Sequence, residues 1–301
     1  MAHPLDGAKA KIARARQHFT SYKNAEKRFF TGRKLPLVST RQEFDPDDES
    51  WVVRIDQVVL PPLRWATILG DFTNNLRGAL DNMVYEIAFI DQRGQSVSGT
   101  AFPIATDEAD FDGKNLQARI KALSKPHRAV IKGLQPYHGW NGQGDRHPLY
   151  VLADLSNDDK HRVVQPALIA PTEFKRQFPH HGTNCRVDRK RGLGGGTSMV
   201  GRPLEPDTEV ARIPLVVTGP EPQMEVKCEA SGAVGLRDGT FLTSFMEDAI
   251  RYVADAVKTV APIFDEPAAV ALQSVPRHSR FQPGPSRHTV NVTATMTIPA
   301  G

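Results

Sequence analysis

The chain has 301 residues, 40% hydrophobic and 24% charged, which is enough apolar material for a sizeable core and ordinary for a soluble globular protein. No apolar run reaches the roughly 20 residues that span a bilayer, the start MAHPLDGAKAKIARARQHF lacks a secretion signal's apolar stretch, and two cysteines cannot make a disulfide framework. A cytoplasmic protein with no membrane partner is therefore expected. The net charge of +4 is uneven: residues 1–34 hold nine Lys/Arg against two carboxylates (+7), residues 172–202 hold seven against two (+5), and the rest is −8. Two basic segments on an acidic body suit a polyanion such as RNA, although a solvated helix face and a basic loop look the same in sequence.

In chain order, Leu5, Ala8, Ile12, Ala15, Phe19, Tyr22 and Phe29 alternate at three and four residues, so a long helix is expected over 5–31. Leu37 to Phe44 and Trp51 to Val59 read as a hairpin around the acidic turn DPDDE. Pro61 and Pro62 then open a helix over 62–90, where Trp65, Leu69, Phe72, Leu76, Leu80, Met83 and Ile87 mark one face. Asn74, Arg77, Asp81 and Tyr85 climb beside that stripe as a polar ladder.

Ala101 to Ile104 is read as a short buried strand, followed by three short helices up to Leu134. A loop with Trp140 precedes a helix over 148–161, and Val163 to Ala170 reads as an edge strand around Pro166. Residues 171–208 have no period and read as a mobile basic insertion. Glu209 to Val217 and Gln223 to Ala230 read as an antiparallel pair joined by TGPEP, and a last helix is expected over 240–264. Residues 1–264 are expected to form a single domain, with 265–301 a weakly ordered Pro-rich tail apart from a strand in HTVNVTATMTI.

LADLSNDDKHR gathers Asn157, Asp158, Asp159, Lys160, His161 and Arg162 at a helix end. A histidine between Lys and Arg has a disfavoured cationic form and suits a neutral base near pH 7. The same residues also suit a plain helix terminus, where cations favour the dipole. Asp154, Asp158 and His161 could offer oxygens and one imidazole to a divalent ion, yet no metal or other cofactor is expected. GLGGGTSMVG lacks the Lys of a phosphate loop.

The stretches NLRGALDNMVYEIA (75–88), FPI (102–104), LQPY (134–137) and LSNDDKHR (155–162) together resemble an uncharacterised bacterial family with N-L-R-x-A-L-D and N-x-D-K-H-R motifs. More remotely, the chain is similar to the HEPN superfamily of helical ribonucleases, in which Arg is followed four to six residues later by His. Arg77 matches the Arg, while Asn82 stands where His would be and cannot shuttle a proton. Arg176 and His181 meet the spacing formally.

The expected fold is α+β, a long-helix bundle with antiparallel strands packed on it. The resemblance implies an RNA-directed, metal-independent endoribonuclease. In that reading His161 is the acid or base, Arg77, Lys160 and Arg162 stabilise phosphate charge, and Asn74, Asp81, Asn157 and Asp158 position or bind. The alternative is a non-catalytic module that binds protein or nucleic acid. RNA or another polyanion and a second copy of the chain are the partners considered.

Overall fold

The computed structural model describes residues 3–32, 36–139, 146–158, 166–169, 175–192, 200–265 and 293–294. In order these form α1 (Asp6–Thr31), β1 (Val38–Asp45), β2 (Ser50–Val58), α2 (Arg64–Asp91), α3 (Glu108–Phe111), α4 (Lys114–Arg119), α5 (Lys125–Gly133), α6 (Pro148–Asp158), β3 (Ala167–Ile169), β4 (Lys175–Gln177), β5 (His181–Gly182), β6 (Cys185–Val187), β7 (Glu209–Val217), β8 (Lys227–Ser231), β9 (Ala233–Gly235), α7 (Leu242–Val260), α8 (Pro262–Asp265) and β10 (Thr293–Ala294). The fold is α+β, and the long helices and antiparallel strands expected from periodicity are present. The chain divides into two compact units, each assembled from three stretches of sequence.

The helical unit takes 1–23, 63–164 and 243–286. Its centre is α2, whose entire predicted stripe from Trp65 to Ile87 is buried. Phe72 meets Phe245 edge to face at 6.1 Å, and Trp65 meets Tyr22 at 5.4 Å, so α7 and α1 both close on the same helix. On α1, Lys11 lies across Gly78 of α2, and a Cβ at Gly78 would stand 3.1 Å from the ammonium. Helices α2 and α6 also pack together. No described helix is long and apolar enough to cross a membrane.

The sheet unit takes 24–62, 165–242 and 287–301. Its main sheet has the order β1-β2-β7-β6-β5, with antiparallel neighbours throughout. Strand β8 lies between β10 and β4, and β3 pairs with β9.

Some expectations need correcting, and one falls partly outside the described residues. Residues 101–104 form no strand, for a reason given with the site below. TGPEP does not close a hairpin, because β7 pairs with β2 and β6, while β8 pairs with β4 and β10. Helix α7 ends at Val260 rather than 264, since Pro262 has no N–H to continue the ladder and starts the separate turn α8. Helix α6 is described to Asp158, and the 159–161 part of its expected range, like Trp140, lies outside the described residues. Within 171–208, strands β4, β5 and β6 are present.

Candidate functional site

The polar ladder of α2 is built around one neighbour, the backbone of Phe102. The Phe102 ring is fully buried, so its chain must enter the core with its amide groups satisfied. Asp81 accepts the Phe102 N–H at 2.8 Å, and Arg77 donates to the Phe102 carbonyl at 2.5 Å. Arg77 and Asp81 are themselves 3.4 Å apart as an i,i+4 pair. A helix thus serves both polar groups of one extended residue with two side chains, where a strand would have used a neighbour. Flanking groups follow the same pattern: Ala105 N–H donates to the side chain of buried Gln135, and Ala101 N–H to the carbonyl of Arg119. This is why an apolar segment of strand-like composition forms no ladder.

Burial pulls the Arg77 guanidinium below arginine's ordinary range, with Asp81 opposing the shift and Arg119 adding to it. The side chain stays charged, as arginine does in proteins. Of the other predicted residues, Asn74 and Asn157 are exposed, on α2 and α6 respectively. Tyr85 stacks on Phe89. Asp158 is the last residue of α6, while Lys160, His161 and Arg162 lie outside the described residues. The two helices that carry the clusters therefore pack together, and Arg77 meets Asp81 and Phe102. The Arg77 Nη2 is thus already shared between a carbonyl and a carboxylate of the chain itself.

Near the start of α6 a second polar group is buried. His147 is 4% exposed, its Nδ1 accepts the Leu149 N–H at 3.1 Å, and its ring stands edge-on to Tyr252 at 4.5 Å. It caps the helix as a neutral acceptor, and burial pushes its pKa down to about 4. Among the described residues no group of three or more His, Cys, Asp or Glu could hold a metal ion.

A site that sequence reasoning did not single out lies in the sheet unit, on the β5–β6 hairpin. Cys185 and Val187 point inward and are buried, so alternation turns Arg186 outward, opposite His181 of β5. Thr183 and Gln223 exchange backbone hydrogen bonds of 2.9 Å beneath the turn. Gly182 is required there, because a Cβ would stand 2.1 Å from the Gln223 carbonyl oxygen. Asn184 follows with φ of 54°, a left-handed conformation that Asn tolerates. Just beyond, an Arg189 guanidinium nitrogen lies 3.1 and 3.0 Å from the two ring nitrogens of His180.

What distinguishes this hairpin is how closely its cations are grouped, since Arg28, Arg202 and Arg237 of the same unit are also exposed and without an ion pair among the described residues but stand apart in sequence. Arg41, Arg54, Arg191 and Arg212 of the same unit each make an ion pair of 3.2 Å or less with a carboxylate. Arg186, Arg189 and Lys190 are exposed and make none among the described residues. The sequence signal was present in the basic count of 172–202, but aperiodic composition concealed that Gly182 and Asn184 make a turn. Arg176 and His181, which match the Arg–His spacing formally, stand on β4 and β5 and share no helix.

No protein-family model matches the chain, and neither the curated proteins nor the solved structures contain a significant match.

Proposed function

We propose that the protein is a non-catalytic RNA-binding module whose β5–β6 hairpin engages the phosphate backbone. The observation that carries this reading is the close grouping of Arg186, Arg189 and Lys190, exposed cations without a carboxylate partner among the described residues, beside two imidazoles on one hairpin. Cations that no carboxylate neutralises can replace the counterions of a polyanion. The imidazoles of His180 and His181 beside them supply flat faces on which unpaired bases can stack, which favours single-stranded RNA. The ribonuclease reading is less well supported, because the guanidinium it needs from Arg77 is engaged by Phe102 and Asp81.

The test is titration of labelled single-stranded RNA at several salt concentrations, with total RNA incubated in parallel with and without chelator. Binding without cleavage is expected. The triple variant Arg186→Ala/Arg189→Ala/Lys190→Ala should shallow the slope of log K against log salt by about 2, at roughly 0.7 per phosphate contact. Its melting should stay close to wild type, since the described side-chain contact these residues make is the exposed one of Arg189 with His180. An unchanged slope would leave the hairpin's charges as a guard against edge-to-edge pairing. Chelator-insensitive cleavage that His161→Ala abolishes would restore the nuclease.

A further inference from the structure

We propose that α7 is the contact face of a symmetric, antiparallel dimer of this chain. One stripe of α7 is spent on the helical unit's core, through Phe245, Met246, Ala249, Val253 and Val257. A second stripe is Glu247, Arg251, the neighbours Ala254 and Asp255, and Lys258, which lie on one side of the helix. With α1 it lines an open groove of about 520 Å³ floored by Phe19 and Ile250.

The order of charges on that stripe selects its occupant. From the N-terminal end it reads negative, positive, small, negative, positive. Turned end for end, every negative position meets a positive one. A second copy laid antiparallel brings Glu247 to the partner's Lys258 and Arg251 to the partner's Asp255, with at most a one-residue offset of ~1.5 Å between levels. The two-fold axis then falls between Arg251 and Ala254, where the small side chain lets the helices approach to ~8 Å. Because the contact is isologous, each ion pair forms twice. A parallel arrangement sets Glu247 against Glu247 and Lys258 against Lys258, so the same pattern rejects it.

Existing pairs do not obstruct this. Lys23–Glu247 at 3.4 Å and Lys258–Asp255 at 3.2 Å are solvent-exposed and exchange partners readily. Arg251 is also bonded to the buried carboxylate of Asp248, which helps to fix its position on the groove wall.

The experiment is sedimentation equilibrium of the full chain without nucleic acid, so the RNA reading and this one fail separately. Wild type should self-associate, more weakly in molar salt than in low salt. Glu247→Lys alone and Lys258→Glu alone should each weaken the dimer at least about tenfold, or 1.4 kcal/mol. Glu247→Lys/Lys258→Glu in one chain should recover it. An equimolar mixture of the two single variants should form a mixed dimer, since one copy then carries lysine at both positions and the other glutamate. These side chains are 44% and 78% exposed, so both variants should fold, and circular dichroism melts verify it. A wild type that stays monomeric up to about 100 μM, or a dimer indifferent to both reversals, overturns the proposal.

Discussion

The two units are held together by different physics. The helical unit relies on apolar burial, with a few polar groups admitted because each has a specific partner: Arg77 and Asp81 on Phe102, His147 on Leu149, Gln135 on Ala105. The sheet unit has a lattice of charge on its main sheet. Arg212 bridges Asp45 at 2.8 Å, Asp48 at 3.0 Å and Glu209 at 2.8 Å, and Arg54 joins Glu43 to the same Glu209. A group buried among apolar neighbours has no substitute when its partner goes. A charge in a half-solvated lattice has other charges and water to turn to.

The largest effect expected from that contrast is at Arg77. Arg77→Ala strips the Phe102 carbonyl of its donor and leaves Asp81 half-buried beside it, at a loss of about 3 kcal/mol in urea unfolding. A variant as stable as wild type would show that water serves the clasp equally well.

Acid should separate the units next. His147 is neutral when folded, with its pKa pushed down to about 4, whereas the unfolded residue titrates near 6.5. Between those values the unfolded chain binds the extra proton, so stability falls as pH drops from about 6.5 to 4, by roughly 3 kcal/mol in total. Protonation also removes the Nδ1 acceptor from the α6 terminus and places a positive charge there against the dipole. His147→Asn keeps a capping acceptor and should flatten this pH dependence. In the sheet unit the sign is set by carboxylates: the Arg212 hydrogen bond lowers Asp45, and Ser50 and Arg212 lower Asp48. Their contribution is complete above the ordinary carboxylate range near 4 and is lost only as pH falls below it. Unfolding monitored by Trp65 fluorescence against Trp51 fluorescence would resolve the two acid limbs.

The smallest effect is expected at Arg212. Arg212→Ala takes one partner from three partly hydrated carboxylates, of which Asp48 keeps Arg191 and Glu209 keeps Arg54, so the loss should be roughly half that of Arg77→Ala. Equal losses would mean that the lattice behaves as a buried network.

The helices were legible because their signal is local. Seven residues of α2 at helical spacing predict a buried face, and all seven are buried. The pairing of strands is not local, which is why TGPEP looked like a hairpin turn although β7 and β8 belong to different sheets. Phe102 misled for a related reason. Its composition is that of a strand, and only the positions of Arg77 and Asp81, over twenty residues earlier, show that side chains replace the ladder. The spacing of Asn74, Arg77, Asp81 and Tyr85 shows an unusual polar ladder, but spacing carries no information about its partner elsewhere in the chain. On the β5–β6 hairpin, a short turn that depends on Gly182 sits in a stretch without period, so its charges were counted but not placed.

The Phe72–Phe245 contact has a consequence for synthesis. It joins positions separated by more than half the chain, and both α1 and α7 close on α2. A nascent chain emerging from the ribosome can pair α1 with α2, but the part of the α2 stripe that meets Phe245 stays exposed until α7 follows, long after both have been made. Closing so long a loop is entropically costly and comes late. During that interval this part of the stripe is available to chaperones or to neighbouring chains. Any truncation before Leu242 should make that exposure permanent, and such a product would be an aggregation-prone fragment rather than a smaller domain.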